Sequence, residues 1–238
     1  MRVDIWSDVV CPWCYIGKRR FEQALARFPA ADQVEVRWHS FELDPTSPGD
    51  RGGRYVDRLA EKYGRSTEQA QQMLDTMTTA ASGEGLDFHF ERARPSGTFD
   101  AHRLLHLAAE RGVQDAVKER LLRATFTEGE PVADADTLVR LGAEAGLDPD
   151  EARTVVASDA YADDVRSDEA QAQQVGISGV PFFVVDGRYG VSGAQPPDLL
   201  LEVLQKAWSE SKGLQLVAPG GSATRPGAGS CDGDSCAV

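Results

Sequence analysis

The sequence predicts an α/β fold in which a small core of strands and helices is interrupted by a long all-helical segment. Three observations predict this class. Alternating apolar residues mark short strands near the N-terminus, helical apolar spacing runs through the middle of the chain, and strand patterns return near residue 181. A chain of 238 residues can bury most of its unfolded surface in one domain that carries an insertion.

The N-terminal segment predicts a strand-helix-strand unit. The alternation in VDIW marks the first strand, and apolar residues at helical spacing between residues 12 and 28 mark a helix that Pro29 ends. Residues 33–41, QVEVRWHSF, alternate as a second strand. Two cysteines, Cys11 and Cys14, therefore lie at the start of the helix in the motif CPWC.

The middle of the chain predicts successive helices. Capping boxes are predicted at Ser66 with Gln69 and at Asp148 with Glu151, and glycines follow several of the helices. Phe88 and Phe90 are interpreted as core anchors between the helices. The predicted helices span residues 54–63, 66–82, 98–111, 113–127, 134–145 and 149–157.

The last part of the chain returns to strands. After a helix that ends near residue 175, VPFFVVDG and RYGVSG predict a hairpin that turns at Asp186-Gly187, and residues 196–208 predict a final helix. The residues beyond 210 are rich in Gly, Ser, Ala and Pro, which is typical of a flexible tail. The predicted core has two parts, residues 1–44 and residues 159–209. A helical insertion domain, residues 45–158, lies between them, and a tail, residues 210–238, follows.

Composition excludes some classes of function. The net charge of −13 and the pI near 4.7 disfavour nucleic acids and anionic membranes as partners. No apolar run approaches the length of a membrane span, and the N-terminus does not read as a signal peptide, so a cytoplasmic location is expected. Closely spaced cysteines in a reducing compartment indicate redox catalysis or metal binding.

Several short sequence segments resemble those of a known protein family. SDVVCPWCYIGKRR, FELDP, TFDAHRLLHLA, GVPFF and SGAQP resemble the DsbA-like thioredoxin oxidoreductases, in particular their cytoplasmic FrnE-like branch, over roughly residues 1–210. The resemblance implies a thioredoxin-like fold with a helical insertion, thiol-disulfide exchange at the CxxC motif and a cis proline facing it. Protein disulfides or dithiols and small ones, glutathione among them, are the partners it implies.

The physical chemistry of the motif agrees with this resemblance. A cysteine at the first turn of a helix faces unpaired N–H groups and the positive end of the helix dipole, so Cys11 is the predicted nucleophile. Cys14, one turn further in, is the predicted resolving thiol. Pro12 suits the first helical position, and Trp13 offers an apolar surface to a bound substrate. Asp8 either raises the pKa of the Cys11 thiol or caps the helix.

Two further features are weighed as parts of the site. Val180-Pro181 follows a glycine at the start of a strand, so it is a candidate cis bond that turns the Val180 backbone toward an extended substrate; an ordinary edge-strand proline is the alternative. His102 and His106 have the i, i+4 spacing of metal ligands but lack an HExxH pattern, and helix packing is the preferred interpretation. His39 lies at the end of the second strand, and the sequence leaves two alternatives open: its side chain lines the cleft of the site, or it faces solvent.

Two other functions remain open at this point. A glutathione-dependent isomerase or kappa-class transferase would share the fold, although such enzymes typically have serine where Cys11 stands. A zinc or redox-sensing module would use Cys11, Cys14, Cys231 and Cys236 together. No organic cofactor is expected, because no GxGxxG or Walker pattern is present. No metal is expected either, because the histidine pair lacks an HExxH pattern and a four-cysteine zinc site would require the flexible tail to become ordered.

The tail contains the other two cysteines, Cys231 and Cys236, in the sequence CDGDSC. A flexible chain of about 20 residues has an r.m.s. span of roughly 25 Å, enough to reach the CPWC motif. The pair is therefore predicted to be an accessory redox pair that exchanges with Cys11, with incidental tail cysteines as the alternative.

Overall fold

A computed structural model of the chain describes residues 1–47, 49, 52–94 and 96–211. Its centre is a four-stranded sheet with the order β2-β1-β3-β4. The first two strands are parallel, and the other neighbours pair antiparallel. The strands are β1 (Arg2–Ser7), β2 (Glu35–Ser40), β3 (Phe182–Val185) and β4 (Tyr189–Ser192).

Nine α-helices lie in the described residues, together with a 3₁₀ turn at Ala31–Gln33 and a π-helical turn at Ala124–Glu128. Among these residues, no helix is both long enough and apolar enough to cross a membrane. The helices are α1 (Pro12–Ala26), α2 (Tyr55–Tyr63), α3 (Thr67–Gly83), α4 (Phe99–Glu110), α5 (Gln114–Arg123), α6 (Ala135–Glu144), α7 (Pro149–Val156), α8 (Ala162–Gln174) and α9 (Pro197–Ser211).

The order of elements is that of a thioredoxin-like fold interrupted by helices, as the sequence predicts. The parallel pair β1 and β2 is joined by a crossover helix, α1, because parallel neighbours cannot be joined by a tight turn. Helices α2 to α7 follow before the chain returns through α8 to the β3–β4 hairpin. Asp186 and Gly187 both have positive φ, 53° and 66°, which fits the predicted hairpin turn.

Local sequence signals place most helix ends within one or two residues. Ser66 and Gln69 form the predicted reciprocal capping box, and Gly64 adopts the left-handed conformation after α2. The predicted box at the start of α7 is only half formed. Asp148 caps the helix, but the carboxylate of Glu151 pairs instead with the Arg111 guanidinium at 2.7 and 2.9 Å.

The helix predicted at residues 113–127 is regular only to Arg123, since its last turn widens into the π-helical turn. The turn buries Phe126, which stacks on Phe88 at a centroid distance of 5.0 Å. The Phe90 ring meets the Phe126 ring edge-on, at a centroid distance of 6.0 Å. Phe88 and Phe90 are thus core anchors, as predicted, and the wider turn accommodates their partner.

The apolar core lies on both sides of helix α1. One cluster packs β1, β3 and α9 against Phe21 on α1, and the side chains of Ile5 and Phe183 are fully buried in it. Another cluster joins Tyr15 and Ile16 of α1 to the helices that follow β2. Because α1 is held from both sides, its N-terminal end is fixed at the boundary between sheet and helices.

Candidate functional site

The CPWC motif lies where β1 passes into α1. Cys11 is the N-cap residue of the helix, with extended dihedrals (φ −97°, ψ 112°), and Pro12 occupies the first turn, where its missing N–H costs no hydrogen bond. Both cysteines are free thiols. Cys14 is fully buried, whereas 5% of Cys11 remains exposed.

The loop that precedes β3 faces this motif. Because β3 runs antiparallel to β1, with Trp6 opposite Phe182, the start of β3 lies beside the residues that follow β1. The Cys11 thiol lies 3.6 Å from the carbonyl oxygen of Val180 and donates a hydrogen bond to it. The Val180-Pro181 peptide bond is cis, as predicted.

A glycine in α1 permits this approach. A Cβ atom at Gly17 would lie only 2.8 Å from Cγ of Pro181, and 3.5 Å from Cζ of Phe183. Gly17 is therefore the residue that lets the helix pack directly against the proline ring.

A cavity of about 840 Å³ opens in front of Cys11. Cys11 and Trp13 line it, and Cys14 does not. Trp13 is 37% exposed and Tyr63 is 53% exposed, so two aromatic rings border the opening. The volume is within the range typical of small-molecule sites. Apolar lining residues from the loops, α2 and α3 are Val10, Phe41, Leu43, Tyr55, Leu59, Met73 and Met77.

Buried charged groups lie behind the motif. The Asp8 carboxylate accepts a hydrogen bond from the Leu43 N–H at 2.8 Å and lies 3.3 Å from Nε2 of His102. The Asp8 carboxylate thus bonds to Leu43 and His102, not to a backbone N–H at the start of α1, so Asp8 does not cap this helix. The fully buried Lys118, on α5, donates from Nζ to the Ser7 carbonyl oxygen at 3.3 Å.

The two thiols act on each other, and their pKa values shift in opposite directions. Burial opposes ionisation of Cys14, but the neighbouring Cys11 thiol and the positive charge of Lys118 outweigh it and lower the pKa of the Cys14 thiol. The neighbouring Cys14 thiol, together with burial, raises the pKa of Cys11, although the Cys14 N–H at the helix start works in the opposite direction. Asp8 also raises the pKa of Cys11, as the sequence suggested.

The histidine side chains singled out in the sequence contact carboxylate and hydroxyl groups. His39 lies between Asp4 and Asp168, at 2.9 and 2.7 Å, and stacks on Trp6. His106 contacts the Ser40 hydroxyl at 3.0 Å. Within the residues that the structure describes, no group of three or more His, Cys, Asp or Glu side chains is arranged to hold a metal ion.

The structure thus brings together Cys11, Cys14, Pro12, Trp13, Val180 and Pro181. Cys231 and Cys236 lie outside the described residues. Sequence reasoning missed Lys118, Ser7 and Gly17. Lys118 carries a weak signal: it stands among Val117, Leu121 and Leu122, at positions that place it on the buried face of α5.

A family model, the DsbA-like thioredoxin domain, matches residues 2–205. The chain belongs to this family. A solved structure from Streptomyces coelicolor, the probable DsbA oxidoreductase SCO1869, is 48% identical with a TM-score of 0.86 and is matched over its whole length by 95% of this chain. The uncharacterized protein YwbO of Bacillus subtilis is 29% identical over 89% of this chain and 98% of its own.

More distant members of this DsbA-like group of structures share the fold alone. The cytosolic disulfide reductase DsbM from Pseudomonas aeruginosa, crystallised with GSH, is 19% identical with a TM-score of 0.63, over 88% of this chain and all of its own. At that identity, the GSH in that structure says nothing about the cavity of the present chain.

Proposed function

We propose that the protein is a thiol-disulfide oxidoreductase in which Cys11 is the nucleophile and Cys14 is the resolving thiol. The observation that carries the proposal is the unequal access of the two thiols. Cys11 borders the cavity opposite Val180 and the cis proline, and Cys14 lies fully buried one helical turn behind it. A substrate disulfide can therefore reach Cys11 but not Cys14.

The reaction follows from this placement. Because the pKa of Cys11 is raised in the dithiol form, the Cys11 thiol first gives up its proton to water. The resulting thiolate attacks a substrate disulfide, forms a mixed disulfide and releases one substrate thiolate, which takes up a proton from water. Cys14, as thiolate, then attacks Cys11, which closes the Cys11–Cys14 disulfide and releases the second substrate thiolate. Two electrons pass from the dithiol to the substrate, and the reverse sequence oxidises a substrate dithiol.

The neighbours of Cys11 support a peptide-like substrate. Val180 presents its carbonyl at the reacting sulfur, and an extended chain attached to Cys11 would run beside this backbone as an added strand. Pro12 and Trp13 form the opposite border, with Trp13 supplying exposed apolar surface. Protein disulfides or small peptide disulfides such as oxidised glutathione are the substrates we propose, with the cytoplasm as the location.

A redox titration against glutathione, with the Cys11–Cys14 disulfide quantified by alkylation and mass, tests the proposal. We expect a two-electron transition in the wild-type chain and no catalysed exchange in Cys11→Ser. A Cys14→Ser variant distinguishes this function from that of a glutathione-dependent isomerase. Loss of the resolving thiol should impair disulfide exchange, whereas an isomerase does not need that thiol. Disulfide-exchange activity that survives Cys11→Ser would overturn the proposal.

A further inference from the structure

Lys118 is a buried cation with too few partners. Its side chain is fully buried, and the one hydrogen-bond acceptor of its Nζ among the described residues is the Ser7 carbonyl oxygen at 3.3 Å. Nζ also lies 5.6 Å from the centre of the Trp38 ring. An ammonium group carries three N–H donors, so this site leaves donors unsatisfied in the dithiol form.

Ser7 provides a second unsatisfied donor at the same place. Its hydroxyl is buried and has no hydrogen-bond partner among the described residues in the dithiol form. A hydrogen bond from this hydroxyl favours the charged form of Cys14 and lowers the pKa of that thiol. Buried donors without acceptors are costly, which indicates that a state with an anion at this position satisfies them.

We propose that Lys118 and Ser7 form a buried site for the Cys14 thiolate, and that Lys118 accepts the Cys14 proton in the resolving step. The inference rests on the proposed exchange function and adds two residues to it. A neutral Lys118 amine takes the proton from the Cys14 thiol and becomes an ammonium group. The Cys14 thiolate, held by Lys118 and the Ser7 hydroxyl, is then ready to attack the mixed disulfide at Cys11.

The atoms and electrons balance in this step. The bond between Cys14 and Cys11 forms, the bond between Cys11 and the substrate sulfur breaks, and the substrate leaves as a thiolate that receives two electrons. Once Cys14 no longer carries a negative charge, the Lys118 ammonium gives the proton that it took from Cys14 to water, and the substrate thiolate takes up a proton from water, so no net proton is gained or lost. The substrate disulfide is the oxidant, and no further reactant is needed.

The charges around Lys118 suit it to this exchange. Burial lowers the pKa of Lys118 to about 8, against the opposing effects of Cys14 and Asp8, so amine and ammonium are both accessible near neutral pH. The other groups that face it are Cys11 and Lys18 on α1, and His102 on α4. The ring of Trp38 closes the side toward β2.

Thiolate absorbance in a chain whose only thiol is Cys14 tests the inference. Cys11, Cys231 and Cys236 are replaced by serine, and a further Cys14→Ser chain provides the blank. We expect Lys118→Met to raise the Cys14 titration midpoint by about one pH unit or more, which is a roughly tenfold loss of thiolate below the midpoint.

The matched control is Lys18→Met, because Lys18 is another buried lysine but pairs with Glu22, Asp115 and Glu119. We expect the Cys14 midpoint to stay unchanged in that chain. An unchanged midpoint in a folded Lys118→Met chain, or an equal shift in both variants, overturns the inference.

A measurement on chains with intact Lys118 covers the case in which Lys118→Met does not fold. The lysine side-chain NMR signals are titrated in the dithiol and disulfide forms of the Cys231→Ser/Cys236→Ser chain. We expect the Lys118 midpoint to fall on oxidation, because the disulfide removes the Cys14 anion. Equal midpoints in the two forms contradict the inference. Neither titration requires turnover, so an inactive protein would refute the proposed function separately.

Discussion

The Cys11 thiol lies 3.6 Å from the carbonyl oxygen of Val180, although 169 residues separate the two in the chain. The contact arises because β3 pairs antiparallel with β1 and starts next to the point where β1 leads into α1. A substrate cysteine joined to Cys11 therefore has a peptide backbone beside it. The same contact fixes which neighbours of Cys11 should affect catalysis.

Trp13 is the first such neighbour. Its ring is 37% exposed at the cavity mouth, so it offers apolar surface to a substrate without being needed for the sulfur chemistry. For Trp13→Ala, we expect kcat/KM to fall about tenfold or more on a protein disulfide, the equivalent of about 1.4 kcal/mol of lost contact. We expect a much smaller loss on oxidised glutathione. Steady-state kinetics with both substrates measure this, and equal losses would show that Trp13 only packs.

Gly17 is the second residue expected to affect catalysis, because it packs against Pro181. Gly17→Ala should destabilise the protein by about 1–3 kcal/mol, because the new Cβ would lie 2.8 Å from the proline ring and force α1 and the Val180-Pro181 loop apart. Disulfide exchange should slow as well. Denaturant unfolding and turnover assays give the two values.

Gly83→Ala is the control for this substitution. Gly83 is the last residue of α3, and a Cβ there meets no atom within 4 Å. Alanine should be neutral there or add up to about 1 kcal/mol from helix propensity. If Gly17→Ala behaved like this control, the close packing of α1 on Pro181 would have no energetic importance.

The sequence predicted those parts of the site that depend on neighbours along the chain. Cys11 and Pro12 at the helix start, and the Ser66–Gln69 box, are local arrangements that spacing and propensity reveal. Gly17 and Lys118 matter because of contacts with Pro181 and with the Ser7–Cys14 region, which are far away in sequence. Such pairings depend on how the helices dock on the sheet, and no periodicity encodes them.

The missing reciprocal hydrogen bond of the Asp148 capping box also results from a contact between residues that are far apart in sequence. Glu151 has the right spacing for a reciprocal bond, but the Arg111 guanidinium from α4 reaches its carboxylate and competes successfully. A charged hydrogen bond from another helix thus outweighs the local motif.

His39 makes stability depend on pH. Burial works against its charged form, but hydrogen bonds with Asp168 and Asp4 raise the pKa of His39 from 6.5 to about 9. A raised pKa in the folded state gives stabilisation that is complete below the unfolded value of about 6.5 and disappears as the pH rises through about 9. The loss should be on the order of 3 kcal/mol.

Unfolding free energies of wild type and His39→Asn between pH 6 and 10 isolate this contribution. The variant is the necessary comparison, because Lys118, whose pKa is lowered by burial, changes stability in the opposite direction over part of the same range. We expect the difference between the two proteins to shrink as the pH rises. A constant difference would mean that the three side chains do not share a proton-dependent interaction.

Cys231 and Cys236 remain a sequence-based prediction as an accessory redox pair. Replacing both by serine should slow multiple-turnover exchange on a protein substrate, because a tethered dithiol has an effective concentration that reaches roughly millimolar. A single-turnover reaction at Cys11 should be unaffected. Unchanged multiple turnover, with no trapped disulfide between Cys11 and either tail cysteine, would show that the tail takes no part.

The division of roles between Cys11 and Cys14 is the central claim, and trapping the mixed disulfide tests it most directly. Each single Cys→Ser variant, made in a chain that also lacks Cys231 and Cys236, is incubated with a protein disulfide and analysed by mass spectrometry. We expect Cys14→Ser to accumulate a substrate adduct on Cys11, since no resolving thiol remains, and Cys11→Ser to form none because Cys14 is fully buried. An adduct that forms on Cys14 as readily as on Cys11 would contradict the account.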